Sequence, residues 1–408
     1  MIENSKLITY AKNYGTPLYV YDGDLIIQKY KGLYELIDYP KLKVLYAMKA
    51  NYNVGILKLL KKHNAYLDTV SPAEVFLALK LGYENEKILF TSNNITDEEM
   101  HEVQATGVLF NIGALSSLEK YGKYYPGSNV CIRFNPDVYA GENKYVQTAG
   151  ALTKFGILMS DVDKVIDIAK NYNLKIIGLH EHTGSGIGTT EQVFESMNNL
   201  LSLAAKEKFP DLQFIDFGGG LKVNYTPLAR VIDWKYFGKK VGELFREFCK
   251  DYGKELYMYF EPGKYIVAES GYLIIEVNTL KNNRGRLIAG TNSGFNHLIR
   301  PLLYGSYHHI ENLTNPNGVK KVYDVCGNIC ESGDCFAEQR ELPEIREGDL
   351  LAIKTAGAYC YSMGSLYNLR SMPTEILVFD DKEIVVTQKI SNQKLAEQII
   401  KSSNFESI

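Results

Sequence analysis

Lys49 sits where a lysine is least expected, at the end of "VLYAM", an apolar run that reads as a core strand. Lysine is among the residues least often fully buried. A desolvated amine in such a place has a depressed pKa and can condense with an aldehyde. Other reactive side chains close other apolar runs in the same way. Asp68 lies in "YLDTV", with Glu74 opening the helix that follows, and Arg133 stands near the end of "NVCIRF". "KIIGLH" ends in His180 and leads into "HTGSG", which holds His182 and Ser185. "QFIDF" runs into Gly218, Gly219 and Gly220, and "LYMYF" into "EPGK", Glu261 to Lys264. Taken singly, each has a plainer reading: a lysine marking the exit to water, a structural histidine, or a glycine turn that tolerates positive φ.

These residues need a scaffold that brings strand ends together. From about residue 24 to 263, eight short apolar runs alternate with helical patterns. The runs are "KVLYAM", "YLDTV", "KILF", "VLF", "NVCIRF", "KIIGLH", "QFIDF" and "LYMYFE". Between them, Thr96 and Glu99 form a capping box, and Val162, Val165, Ile166 and Ala169 after Ser160 make a one-face apolar pattern. The alternation predicts an α/β fold, a (β/α)8 barrel over residues 24–264, in preference to a doubly wound open sheet. Beyond Gly263, strand-like runs follow one another: "YLIIEV", "RLIAG", "KVYDVC", "DLLAIKTA", "EILVFDD" and "KEIVVTQ". Residues 265–408, joined by 1–23 through "TPLYVYD", are expected to form an all-β domain, with 392–408 as a terminal helix or tail.

In barrels of this type chemistry collects at the carboxyl ends of the strands, where these residues stand. A Gly-rich loop after the seventh strand is where barrels usually hold phosphate on backbone N–H groups. A lysine at another strand end can hold an aldehyde as an imine, and an acid at a third can keep a ring nitrogen protonated. Phosphate, aldehyde and basic ring nitrogen together specify pyridoxal 5'-phosphate, with Lys49 as its Schiff-base lysine.

The motifs "YAMKAN", "RFNP", "KFGI", "HTGSG", "DFGGG", "EPGK", "LIRPLLYGSYH", "CESGD" and "GAYCYSMGSLYN" run in this order between residues 16 and 380. They resemble those of the diaminopimelate decarboxylases, pyridoxal-phosphate enzymes of the alanine racemase type with a barrel and a β-domain. The resemblance implies decarboxylation of meso-2,6-diaminopimelate to L-lysine and carbon dioxide, the last step of lysine biosynthesis. It implies that Lys49 carries the cofactor, His182 stacks on its ring and Glu261 faces the ring nitrogen. Ser185 and Gly218 to Gly220 would bind phosphate, with Asp68, Gly263 and Lys264 also in the cofactor site. Cys330 would protonate the carbanion from the partner subunit, which makes the protein a homodimer with shared active sites. Arg300, Tyr304 and Glu331 would bind the far end of the substrate, and Lys264 and Tyr367 would contact both cofactor and substrate.

The chemistry of the substrate supports that choice. The distal end of diaminopimelate is zwitterionic: Arg300 offers a bidentate fork for its carboxylate and Glu331 an acid for its amine. Ornithine and lysine present only an ammonium there, and a buried Arg300 facing it would cost roughly 3–5 kcal/mol. Lys264 stands where the family usually has arginine, which keeps open a same-class decarboxylase of ornithine, lysine or a carboxylated polyamine. "HTGSG" for "HIGSQ" and "TNSGFNH" for an aspartate-containing motif are further departures. A catalytically silent homologue that only binds a partner is disfavoured by the presence of Lys49, His182, Glu261 and Cys330.

The bulk composition fits this picture. The 408 residues are 45% hydrophobic and 23% charged, with a formal net charge of -3, which leaves no basic footprint for nucleic acid. No run approaches the ~20 apolar residues of a membrane span. The segment "MIENSKLITYAKNYG" is charged throughout, without the apolar centre of a signal peptide. Six scattered cysteines make no disulfide scaffold, and Cys326, Cys330 and Cys335 lack the spacing of a zinc site. The expectation is a cytoplasmic enzyme with reduced thiols, a small-molecule amino-acid substrate and no metal.

Overall fold

In the computed structural model, which describes residues 1–138, 148–150, 153–184, 189–226 and 232–403, each of the eight apolar runs is a strand. They are Leu42–Ala47, Tyr66–Thr69, Ile88–Thr91, Leu109–Ile112, Asn129–Asn135, Lys175–His180, Phe214–Asp216 and Tyr257–Phe260. Each pairs in parallel with the next. The eighth returns to the first through Met258↔Leu42 and Phe260↔Val44, which closes the barrel.

Successive side chains on a strand face opposite ways, and this builds two layers inside the barrel. The lower layer is apolar: Leu45, Leu89, Cys131, Ile177 and Phe214 form one buried cluster. Phe214 stacks on Tyr259 at 4.3 Å between centroids. It also fills the space at Gly178, where a Cβ would sit 2.1 Å from its ring. Two residues on from Leu89, Cys131, Gly178, Phe214 and Tyr259 come Thr91, Arg133, His180, Asp216 and Glu261, with Asp68 two beyond Tyr66; all six are buried. An apolar floor therefore carries a polar upper layer at the carboxyl ends. The outward faces, such as Val44, Tyr46, Phe90 and Phe260, pack under the helices in the main core.

The helices begin largely where their caps are written. Thr96 and Glu99 form the capping box of Asp97–Gln104. The helix after Ser160 starts later than its pattern suggests: Met159–Asp161 is a 3-10 turn, and Val162–Asn171 buries Val162, Val165 and Ala169.

Among the described residues the second sheet has nine strands. Leu18–Asp22 lies inside it, antiparallel to Gly271–Asn283 and parallel to Thr374–Phe379, so the early segment is a central strand of this sheet. Two strands, Ile310–Asn312 and Cys335–Pro343, and the helix Asn4–Tyr14 have weak sequence signals. "CFAEQRELP" is charged and buries only Phe336, Ala337 and Leu342, while the helix rests on Leu7, Tyr10 and Ala11. Asn392–Ser402 is helical, as expected of the C-terminal segment. Among the described residues no helix is long and apolar enough to cross a membrane.

Candidate active site

Lys49 is not on a strand. The first barrel strand ends at Ala47, and Lys49 occupies the single 3-10 turn Met48–Ala50. The turn is pinned from both sides. Tyr46 Oη donates to Asn51 O (2.8 Å), and Asn51 Nδ2 donates to Gly357 O (3.0 Å). The carbonyl of Ala50 accepts from Tyr359 N (2.8 Å) and Ser362 Oγ (3.0 Å), both in the β-domain. Gly263 admits the turn: a Cβ there would lie 2.8 Å from Ala50 Cβ.

Lys49 Nζ lies 2.5 Å from Asp68 Oδ2. Burial alone pushes the ammonium down, but the charges of Asp68 and Glu261 outweigh it and hold the pKa above its ordinary value. The expectation of a depressed amine is thus corrected: its neighbours are acids, and opposite charge at contact favours the charged form.

Glu261, just past the eighth strand, takes a contact from His180 Nε2 at 3.2 Å. Burial and the charge of Arg133 hold His180 well below the ordinary imidazole range, so it is neutral and donates from Nε2. The guanidinium of Arg133 lies 4.8 Å from the ring of Phe155. Glu74, at the start of the helix Pro72–Lys80, accepts from Val70 N at 2.7 Å, and burial pushes its carboxyl up to about 7.

The glycine run turns sharply, with φ of +64° at Gly218 and +99° at Gly220. A Cβ on Gly218 would lie 2.6 Å from Glu181 O, and one on Gly219 would lie 2.4 Å from Glu261 O. Two of the three N–H groups are already engaged: Gly218 N donates to Asp216 Oδ1 (2.8 Å) and Gly219 N to His182 Nδ1 (3.0 Å). Because Nδ1 accepts, neutral His182 carries its proton on Nε2. Burial and the charges of Arg133 and Lys49 keep it neutral.

The opposite wall comes from beyond the barrel strands. Arg300 opens the short helix Arg300–Tyr304, is buried, and donates from Nη2 to Ser306 Oγ at 3.2 Å. Its guanidinium lies 4.9 Å from the ring of Tyr225 and 5.6 Å from that of Tyr304. Lys264 Nζ approaches the Tyr225 ring at 5.9 Å. A cavity of about 340 Å³ is enclosed between the walls, lined by Lys49, Arg133, His182, Glu261, Lys264 and Arg300 among others. Tyr304 and Tyr359 line it too.

Three expected site residues are elsewhere. Cys330 is exposed, its N–H donating to Asn368 Oδ1 at 2.8 Å, and Glu331 beside it is exposed as well. Tyr367 is 48% exposed and stacks on Phe295 at 5.8 Å between centroids. They form an outer surface of this chain and do not line the cavity. Cys326 and Cys335 face each other across paired strands, with Cys330 in the loop between them. Ser185 lies outside the described residues.

Two site residues were not singled out from sequence. Tyr359 sits within the quoted "GAYCYSMGSLYN" but is marked only by its fold: φ of +55°, unusual for a tyrosine, and a place against Lys49. Asp216 sits within "IDFGGG", and its inward place follows from counting two residues on from Phe214.

Comparison with known proteins agrees with this geometry. The family profile described as pyridoxal-dependent decarboxylase, pyridoxal binding domain, matches residues 24–268. The diaminopimelate decarboxylase of Methanothermobacter thermautotrophicus is 39% identical over 397 residues, covering 95% of this chain and 92% of that one. That of Escherichia coli K12 is 32% identical, covering 92% and 91%. The crystal structure of diaminopimelate decarboxylase from Helicobacter pylori complexed with L-lysine superposes with a TM-score of 0.89 at 29% identity, over 98% of this chain and all of that chain.

Proposed function

We infer the function from one premise: this chain belongs to the pyridoxal-dependent decarboxylases, and within them to the diaminopimelate decarboxylases. It is a pyridoxal-phosphate-dependent carboxy-lyase that converts meso-2,6-diaminopimelate to L-lysine and carbon dioxide, in lysine biosynthesis. The observation that carries this is 39% identity to a diaminopimelate decarboxylase across nearly the whole of both chains.

The residues present fit the cofactor. The cavity is closed by a lysine on one side and a buried acid, Glu261, on another, and the neutral His182 ring lies between strand ends. When bound, pyridoxal phosphate supplies an electron sink for the carbanion left as carbon dioxide departs. Lys49 is the residue to hold the aldehyde carbon, and Asp68, 2.5 Å away, is placed to take the proton that the amine must lose. Glu261 would present negative charge to the ring nitrogen, and His182 would support the face of the ring. Gly220, Ser185 and Lys264 are the phosphate contacts of this reading, since the N–H groups of Gly218 and Gly219 serve the protein.

Arg300 is the carboxylate fork for the far end of the substrate, with Tyr304 beside it. The exposure of Cys330, Glu331 and Tyr367 supports a homodimer in which these residues complete a partner's cavity. The division into a barrel of residues 24–264 and a β-domain of 1–23 with 265–408 is supported by the pairing of Leu18–Asp22 with strands beyond residue 270. A cytoplasmic location belongs to the same reading, supported by six unpaired cysteines.

The test is carbon dioxide release by cofactor-loaded protein on meso-diaminopimelate, L-lysine and L-ornithine side by side. Strong preference for diaminopimelate, with L-lysine as product, is expected. Activity confined to L-ornithine or L-lysine would overturn the substrate assignment.

A further inference from the structure

Beneath Glu261 lies a second acid that the reaction does not obviously need. Asp216 is fully buried on the seventh strand and does not line the cavity. Nearest ligand-type atoms of His180, Asp216 and Glu261 all lie within 4.8 Å of one another. Asp216 Oδ1 accepts from Gly218 N and Glu261 Oε2 faces His180 Nε2, while Asp216 Oδ2 and Glu261 Oε1 are both buried and reached by no N–H or O–H donor. Two carboxylates this close and this dry do not both ionise; one keeps a proton and donates it to the other.

The surroundings decide which one. Burial raises the carboxyl of Glu261 too, but Glu261 shares the cavity with the cations Lys49 and Arg133, and both pull it back toward its anion. Asp216 is pressed on by the charges of Glu261 and Asp68, and burial, the largest influence, pushes its carboxyl well above the ordinary range. Cys131 and Tyr259 also face it and bring no positive charge, while the charge of Arg133 reaches both carboxylates and so does not favour Asp216 over Glu261.

We propose that Asp216 is the positioning residue for Glu261: it carries the shared proton at neutral pH and donates it as a hydrogen bond, so that Glu261 stays anionic toward the ring nitrogen of the cofactor. Glu261 then receives two hydrogen bonds, from Asp216 and from His180, which fix its carboxylate and replace the water that a buried anion lacks. This rests on the reading of Glu261 given above.

The test uses the full chain prepared with isotope-labelled aspartate and read by infrared spectroscopy at neutral pH, with and without added pyridoxal phosphate. The expected result is one labelled carboxylic-acid band in the wild type, lost in Asp216→Asn. Because the amide still donates, Asp216→Asn is expected to bind the cofactor almost as the wild type does. Asp216→Leu removes the donor and is expected to weaken cofactor binding roughly tenfold or more, the scale of one hydrogen bond to a charged group, and to shift the pH dependence of the bound cofactor's absorbance. A labelled band that survives in Asp216→Asn, no such band in the wild type, or wild-type cofactor binding by Asp216→Leu would each overturn the proposal. A wild type that took up no cofactor would instead count against the reading of the site, and the infrared band would still decide who holds the proton.

Discussion

Lys49 and Asp68 form an ion pair of 2.5 Å in which the carboxylate is fully buried. The pair holds Lys49 as an ammonium, so on the proposed reading capture of the cofactor aldehyde requires loss of that proton, for which Asp68 is the acceptor at hand. With Asp68→Asn one of the two acids that oppose burial is gone, along with its hydrogen bond, which lowers the pKa of Lys49 from its wild-type position. Cofactor capture, followed as the absorbance of the lysine-bound form against pH, is then expected to move down by about one pH unit or more. Lys49→Ala gives no such band at any pH. An unchanged midpoint in Asp68→Asn would remove Asp68 from this role.

The barrel was legible in the sequence because its eight strands are continuous apolar runs between helices with written caps, and the rule that chemistry collects at the carboxyl ends then gathered Asp68, His180 and Glu261. The β-domain was less legible. Cys335–Pro343 buries few side chains, so its charged sequence carries little period-2 signal. What could not be read was the sign of the Lys49 shift, which depends on two acids from distant strands, and the outward place of Tyr367, which no local pattern encodes. Tyr359 became visible only once the turn at Ala50 was seen to lean on the β-domain.

Glu181 offers a pH-dependent stability. It is buried beside the site, and burial pushes its carboxyl up to about 8. Its ordinary value is 4.5, so between these values the folded state holds a proton that the unfolded chain has released. Stability therefore falls as pH rises through that window. Glu181→Gln is expected to unfold at a higher temperature than the wild type at pH near 8 and to lose that advantage at pH near 4.5. Thermal unfolding at the two pH values checks this; equal shifts at both would refute it.

Gly219→Ala tests the closeness of the glycine loop to Glu261. The added Cβ would meet the backbone carbonyl oxygen of Glu261 at 2.4 Å, and backbone cannot turn aside as a side chain can. The loop must move, which costs about 1–3 kcal/mol and breaks the hydrogen bond from Gly219 N to His182. A lower unfolding temperature together with weaker cofactor binding is expected. Cofactor affinity equal to that of the wild type would mean that the loop adapts without disturbing His182.

Lys264 is buried and, with Arg300, places a second cation against the ring of Tyr225. Lys264→Arg keeps the charge and adds a planar fork suited to phosphate. It is expected to tighten cofactor binding severalfold while carbon dioxide release changes by less than about tenfold. Lys264→Met removes the charge and is expected to weaken both cofactor binding and KM for diaminopimelate. Titration with pyridoxal phosphate separates the variants, and unchanged affinity in Lys264→Met would take Lys264 out of the phosphate site.

The exposure of Cys330 makes the proposed sharing of active sites between two copies of the chain testable. In one chain the cavity holds Lys49, while Cys330 lies on the outer surface, tied through its N–H to Asn368. If the cysteine works in the partner's cavity, Lys49→Ala and Cys330→Ala damage different halves of each site. A hybrid dimer then has one site with both residues intact and one with neither. Random exchange makes half the dimers hybrid, so two inactive proteins mixed in equal amounts are expected to recover roughly a quarter of wild-type activity. Cysteine acting within its own chain predicts no recovery, because no chain of the hybrid carries both residues. Carbon dioxide release after subunit exchange, with exchange verified by differently tagged chains, distinguishes the two arrangements.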